Sequence, residues 1–128
     1  MTTEDIKRLT DDPDGLITYE YIANHIEDCD DDMKWLIGNV VRVDRNGQFS
    51  ASAARYLNAI DHDKYSEEIS MLVDATIGKD REHRYLTDLM VSIYGPDFHQ
   101  NAKDLISKDD NFRRIYKRLY PENLGYIV

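Results

Sequence analysis

The sequence predicts an all-α protein, a compact bundle or short stack of about eight short helices. Three observations carry this. Apolar residues recur every three or four positions along most of the chain, the spacing that lines one face of a helix. The breaks in that rhythm hold glycine, proline or runs of aspartate, which stop or cap helices. Alternating β-branched stretches, the mark of strands, are nearly missing.

A short helix around residues 3–10 comes first and ends at the "DPDG" turn. Thr18 is placed to cap the next helix, through Ile22, Ala23 and Ile26, with Ile17 set to staple onto Ile22. After the acidic turn "EDCDDD", a helix from about Met33 to Val43 presents Met33, Leu36, Ile37 and Val40. Ser50 is then placed to cap "ASAARYLNAI". The competing reading here is a small β-hairpin near residues 40–50, because the β-branched run "VVRV" leads into an Asn-Gly pair. The helix is favoured, since its pattern runs in unbroken from Met33.

In the second half, Tyr65, Ile69, Leu72, Val73, Thr76 and Ile77 predict a helix over 64–77, capped by Asp63 or Ser66 and stopped by a left-handed Gly78. Asp80 caps a following helix through Leu86, Leu89, Met90, Ile93 and Tyr94, closed by Gly95-Pro96, so the two form an antiparallel hairpin. "PDFHQNAKDLIS" reads as a short helix from Pro96 or Asp97, where a missing N–H costs nothing. Asp109 or Asp110 caps a basic amphipathic helix at about 110–120, with Phe112, Ile115, Tyr116 and Leu119 as its stripe and Pro121 as its end. The tail lacks a helical pattern; Leu124, Tyr126 and Ile127 are expected against the body.

At 128 residues, with 41% apolar and 10% aromatic residues, the chain suits one domain over 1–128 that needs no metal or disulfide to hold it. Cys29 is the single cysteine and cannot form an internal bridge. No signal peptide or membrane span is read, so the expected location is the cytoplasm.

Charge is unevenly placed. Residues 1–32 carry eleven carboxylates against Lys7 and Arg8, which accounts for the whole net charge of -9. The remaining residues hold 14 acids and 14 bases. Near the other end, "RRIYKR" at 113–118 sets four cations in six positions, so the chain is electrically polar from end to end.

"DPDGLIT" (12–18) and "DRNGQFS" (44–50) share a skeleton 32 positions apart and resemble the middle of a calcium loop. A calcium loop needs an acid first, glycine sixth and a bidentate glutamate twelfth. Setting Gly47 sixth places Arg42 first and Ala53 last; setting Gly15 sixth places Thr10 first and Tyr21 last. The letters fit a helix–turn–helix echo better than an ion site, and no cofactor or metal is expected.

The leading candidate for function is the acidic turn: Glu27, Asp28, Asp30, Asp31 and Asp32 surround Cys29 and form a surface that suits a basic protein partner, even one that otherwise holds nucleic acid. The second candidate is Arg113, Arg114, Lys117 and Arg118, which could meet acids of the N-terminal segment or of a second copy in a homo-oligomer. The expected function is therefore a non-catalytic, intracellular protein-interaction module. The alternative is a nucleic-acid-binding regulator using a helix-turn-helix-like segment at 16–50 or the basic helix, although Lys34 and Arg42 are few bases for phosphate contact. The four histidines do not gather, His25 and Cys29 are too few ligands for a structural metal site, and no catalytic motif is found.

Overall fold

The computed structural model describes residues 1–123, and these are all-helical. Eight α-helices run in sequence as four loop-joined pairs: α1 (Thr3–Thr10) with α2 (Leu16–Asn24), α3 (Met33–Val43) with α4 (Gln48–Asp61), α5 (Ser66–Lys79) with α6 (Leu86–Tyr94), and α7 (Ala102–Lys108) with α8 (Asp110–Leu119). The closest packing of consecutive helices is between α4 and α5, and α5 and α6 do not pack as the expected antiparallel hairpin. Short 3-10 turns lie at Asp30–Asp32 and Pro121–Asn123. The expected packing of Leu124, Tyr126 and Ile127 falls outside the described residues.

The pairs stack. In one layer α2 packs on α4, α4 on α6 and α6 on α8; in the other α3 packs on α5. At the last step the register changes, because α8 rather than the short α7 packs on α5. Hydrogen bonds between neighbouring pairs join Asn39 to the Leu9 carbonyl, Tyr56 to the Ala23 carbonyl, Asn58 to the Ser92 carbonyl and Asn111 to the Ser70 carbonyl. The core runs between the layers and includes Leu9, Ile22, Leu36, Ile37, Leu57, Leu72, Leu89, Phe112 and Tyr116. The three-four spacing selects Ile22, Leu36, Ile37, Leu72, Leu89, Phe112 and Tyr116, and the fold adds Leu9 and Leu57.

The two like loops fold alike, and neither uses its hydroxyl as a cap. Asp12 Oδ1 accepts from the N–H groups of Asp14 and Gly15, while Oδ2 accepts from the Thr18 N–H at 2.8 Å and the Thr18 hydroxyl at 2.7 Å. Asp44 repeats this with Asn46, Gly47 and the Ser50 N–H. The aspartate side chain therefore reaches six residues forward to satisfy a free amide of the next helix, which starts at Leu16 or Gln48, two residues before the expected hydroxyl caps. Thr18 and Ser50 lie inside the first turn instead. This arrangement also displaces the hairpin reading at 40–50: Val40–Val43 stay helical, and Gly47, at φ 90, makes the turn that aims Asp44 at α4.

A third loop has the same plan. Asp80 accepts from the N–H groups of Arg84, Tyr85 and Leu86, and the residue three after the aspartate is again left-handed, here His83 at φ 58. Asp109 ends the series as a simple cap that accepts from Phe112 N–H.

Four further expectations are corrected. Gly78 remains helical, and α5 continues to Lys79 before Asp80. Neither Asp63 nor Ser66 caps α5; Asp61 stabilises the preceding turn by accepting from Lys64 N–H. Residues 96–101 form successive three-residue turns in place of a helix, with Phe98 drawn into the core, so α7 starts only at Ala102. The segment after Pro121 begins with a 3-10 turn.

Candidate interaction surfaces

Cys29 anchors the acidic turn. Its side chain is 2% exposed, and the Asp28 and Asp32 amides close the turn onto the His25 and Cys29 carbonyls. Burial, reinforced by the charges of Asp30 and Asp28, raises the thiol above its ordinary pKa. Two of the five carboxylates are held by neighbours. Asp30 meets Lys64 at 2.8 Å and accepts from the Tyr65 hydroxyl at 3.3 Å, which ties this turn to the α4–α5 turn. The Lys64 hydrogen bond holds the Asp30 carboxyl below the usual range. Asp32 pairs with the Met1 amino group at 3.1 Å.

Glu27, Asp28 and Asp31 are exposed and make no ion pair among the described residues. Asp61 and Asp63 of the adjoining turn are exposed as well. The chain thus presents several carboxylates from two turns that Lys64 and Asp30 hold side by side, with Lys64 already engaged.

The basic residues divide differently. Arg114 is partly buried; it bridges to Asp74 of α5 and to Asn111, so its first role is to fasten α8 to the stack. Arg113 pairs with Asp110 one turn back, and Arg118 donates to the Arg114 carbonyl. Lys117 is exposed. α8 packs on α5, α6 and α7, while the acidic turn meets the chain at the start of α5 through Lys64 and Tyr65.

In the segment read as helix-turn-helix-like, α3 exposes Lys34, Trp35, Gly38 and Arg42. The Arg42 guanidinium donates to the Thr10 carbonyl and to Asn39 Oδ1. His25 stacks on Tyr21, His62 contacts Asn58, and His99 lies among Phe98, Tyr116 and Tyr120, so the imidazoles have separate surroundings.

Two features escaped the sequence because each is assembled from separate parts of the chain, the first from three helices and the second from two loops. A groove of about 480 Å³ is framed by Tyr19 of α2, Ser52, Arg55, Tyr56, Asn58 and Ala59 of α4, and Ser92 of α6. At the aspartate turns, Arg45, Arg81 and Arg84 line a smaller hollow of about 270 Å³ together with Lys79, Asp80 and Glu82. There Lys79 already donates to the Val41 and Asp44 carbonyls, and Arg84 to Glu82. No described helix is long and apolar enough to cross a membrane. Comparison with family models, with curated proteins and with solved structures finds no match for the chain.

Proposed function

We propose that the protein is a non-catalytic interaction module that engages a basic protein partner through the acidic turn. One observation carries the reading: Glu27, Asp28 and Asp31 project from a turn whose backbone is pinned by buried Cys29 and by the Asp30–Lys64 and Asp32–Met1 pairs. Carboxylates held in place lose little freedom on binding a cationic surface, and their clustering raises the local negative potential. A partner whose cationic surface otherwise holds nucleic acid fits the same chemistry. A second copy is also a candidate, since α8 carries exposed bases and, among the described residues, no ion pair joins them to the acidic turn.

The test is capture of partners by the tagged chain at low and high salt, beside a variant with Asp28, Asp30, Asp31 and Asp32 changed to asparagine. A basic partner lost both in high salt and in the variant supports the reading. Capture indifferent to salt and to the substitutions sinks it. Retardation of duplex or single-stranded nucleic acid, abolished by Arg113→Ala with Arg114→Ala, would replace it with the nucleic-acid-binding alternative.

A further inference from the structure

The groove across α2, α4 and α6 has the composition of a recognition site. Two tyrosines form its walls, with Tyr19 and Tyr56 edge to face at 6.4 Å between centroids. The Tyr56 hydroxyl is fixed on the Ala23 carbonyl at 3.3 Å, and Asn58 ties the α4 side of the groove to the Ser92 carbonyl at 3.0 Å. Both walls are therefore set before anything binds. Ser52, Ala59 and Ser92 are small enough to let another backbone come close. Tyrosine and arginine are enriched among the residues that dominate binding energy at protein interfaces, tyrosine because it buries large area for few rotatable bonds.

Arg55 sets the sign. Among the described residues it is the sole cation lining the groove, and no carboxylate lines it. Its side chain is exposed and makes no ion pair among the described residues. Around it the groove offers hydroxyls, an amide and aromatic rings. A planar guanidinium matches a carboxylate through two parallel N–H donors. The groove also crosses three helices of one layer and is open to solvent, which suits a length of chain better than an enclosed small molecule.

We infer that this groove binds a peptide segment of a protein partner, with an aspartate or glutamate of that segment seated on Arg55 and its neighbouring residues lying along Tyr19 and Tyr56. The site is separate from the acidic turn and has the opposite preference, so the two surfaces can be occupied at once.

The experiment selects a phage-displayed library of random 12-residue peptides on the full chain and then measures synthetic copies of the enriched peptides by fluorescence anisotropy. Enriched peptides share an acidic residue. Their affinity falls at least tenfold with Arg55→Glu and with Tyr56→Ala, recovers in part with Arg55→Lys, and is unchanged by Arg84→Glu or by the four-asparagine variant. Circular dichroism confirms that each variant is folded. Failure to enrich peptides, enrichment without a shared acid, or equal binding to Arg55→Glu overturns the inference. Loss of binding in the four-asparagine variant alone would instead assign the peptides to the acidic turn.

Discussion

Asn39 donates to the Thr18 hydroxyl at 2.9 Å and to the Leu9 carbonyl at 2.7 Å, so one amide on α3 binds both helices of the pair before it. The Thr18 hydroxyl in turn donates a hydrogen bond to Asp12 Oδ2. This buried relay is where the first two pairs interlock, and the next step of the stack lacks it. Ser50 occupies the position of Thr18, yet its Oγ is buried with no hydrogen-bond partner among the described residues. Counting back five residues from the loop aspartate, as from Asp44 to Asn39, leads from Asp80 to Ala75, which has no amide to offer.

Ser50→Ala is therefore expected to leave stability unchanged or raise it by up to about 1 kcal/mol, since it removes an unsatisfied buried group. Thr18→Ala breaks two bonds of the relay and should cost on the order of 1–3 kcal/mol. Ala75→Asn should stabilise the native chain and lose that gain in the Ser50→Ala background. Urea unfolding of the four proteins of that cycle measures the coupling; a coupling of zero would show that positions 50 and 75 do not meet.

The left-handed residues of the three loops should respond in opposite ways. A Cβ at Gly15 would lie 3.0 Å from Phe49 Cβ, and one at Gly47 3.2 Å from Asp80 Cβ, in addition to the strain of φ +108 and φ +90. Alanine at either position is expected to cost on the order of 1–2 kcal/mol from backbone strain alone, with Gly15 the worse because of its closer contact. His83→Gly relieves the same strain at φ 58, partly offset by a freer unfolded chain, and should stabilise by less than about 1 kcal/mol. Thermal unfolding of the three variants tests the ordering.

How far the sequence reached follows from the range of each interaction. Met33, Leu36, Ile37 and Val40 show their helix in four letters, because amphipathic spacing is local. Local signals point to Thr18 and Ser50 as the caps of α2 and α4, because a hydroxyl beside the first apolar turn is the usual cap. The aspartates that do the work sit six residues earlier, and only the repeated Asp–x–x–Gly–x–x–Thr/Ser pattern pointed to them. The third loop was hidden, since His83 stands where the first two loops have glycine. Arg114 looked like one of four equivalent bases until α5 brought Asp74 beside it. Tyr19, Arg55 and Ser92 lie on three helices, and nothing short of their packing reveals a common groove.

Asp12 should leave a signature in acid. Burial opposes its charge, but hydrogen bonds from the Thr18 hydroxyl and from the Gly15, Thr18 and Asp14 amides outweigh that and hold its pKa below the ordinary value of 3.8. A carboxyl lowered in the folded state binds protons more readily when unfolded. Its contribution is therefore fully present above the ordinary value and is lost as pH falls below it toward the folded pKa. Asp12→Asn replaces an acceptor oxygen with an amide donor facing the Thr18 N–H, and should cost about 2 kcal/mol at neutral pH. Urea midpoints taken from pH 6 down to pH 2 should then show a smaller acid loss in the variant than in the native chain. Parallel profiles would mean that Asp12 is not the group being titrated.

Cys29 turns the rigidity of the acidic turn into a rate that can be measured. The thiol is buried and its pKa is raised, first by burial and then by Asp30 and Asp28, so both access and thiolate fraction oppose attack by a disulfide reagent. In the native chain Cys29 should react with an aromatic disulfide at least about a hundredfold more slowly than in urea, because reaction needs the turn to open. Asp30→Ala removes the bonds to Lys64 and Tyr65 that pin the turn while also removing a neighbouring negative charge. Lys64→Ala breaks the same tie to Lys64 and leaves the charge in place. If pinning controls access, both substitutions speed labelling by similar factors; if the field of the carboxylates controls it, Asp30→Ala speeds labelling and Lys64→Ala slows it. Labelling of the native chain at the unfolded rate would show that the turn is not fixed, and would remove the preorganisation on which the acidic-surface reading depends.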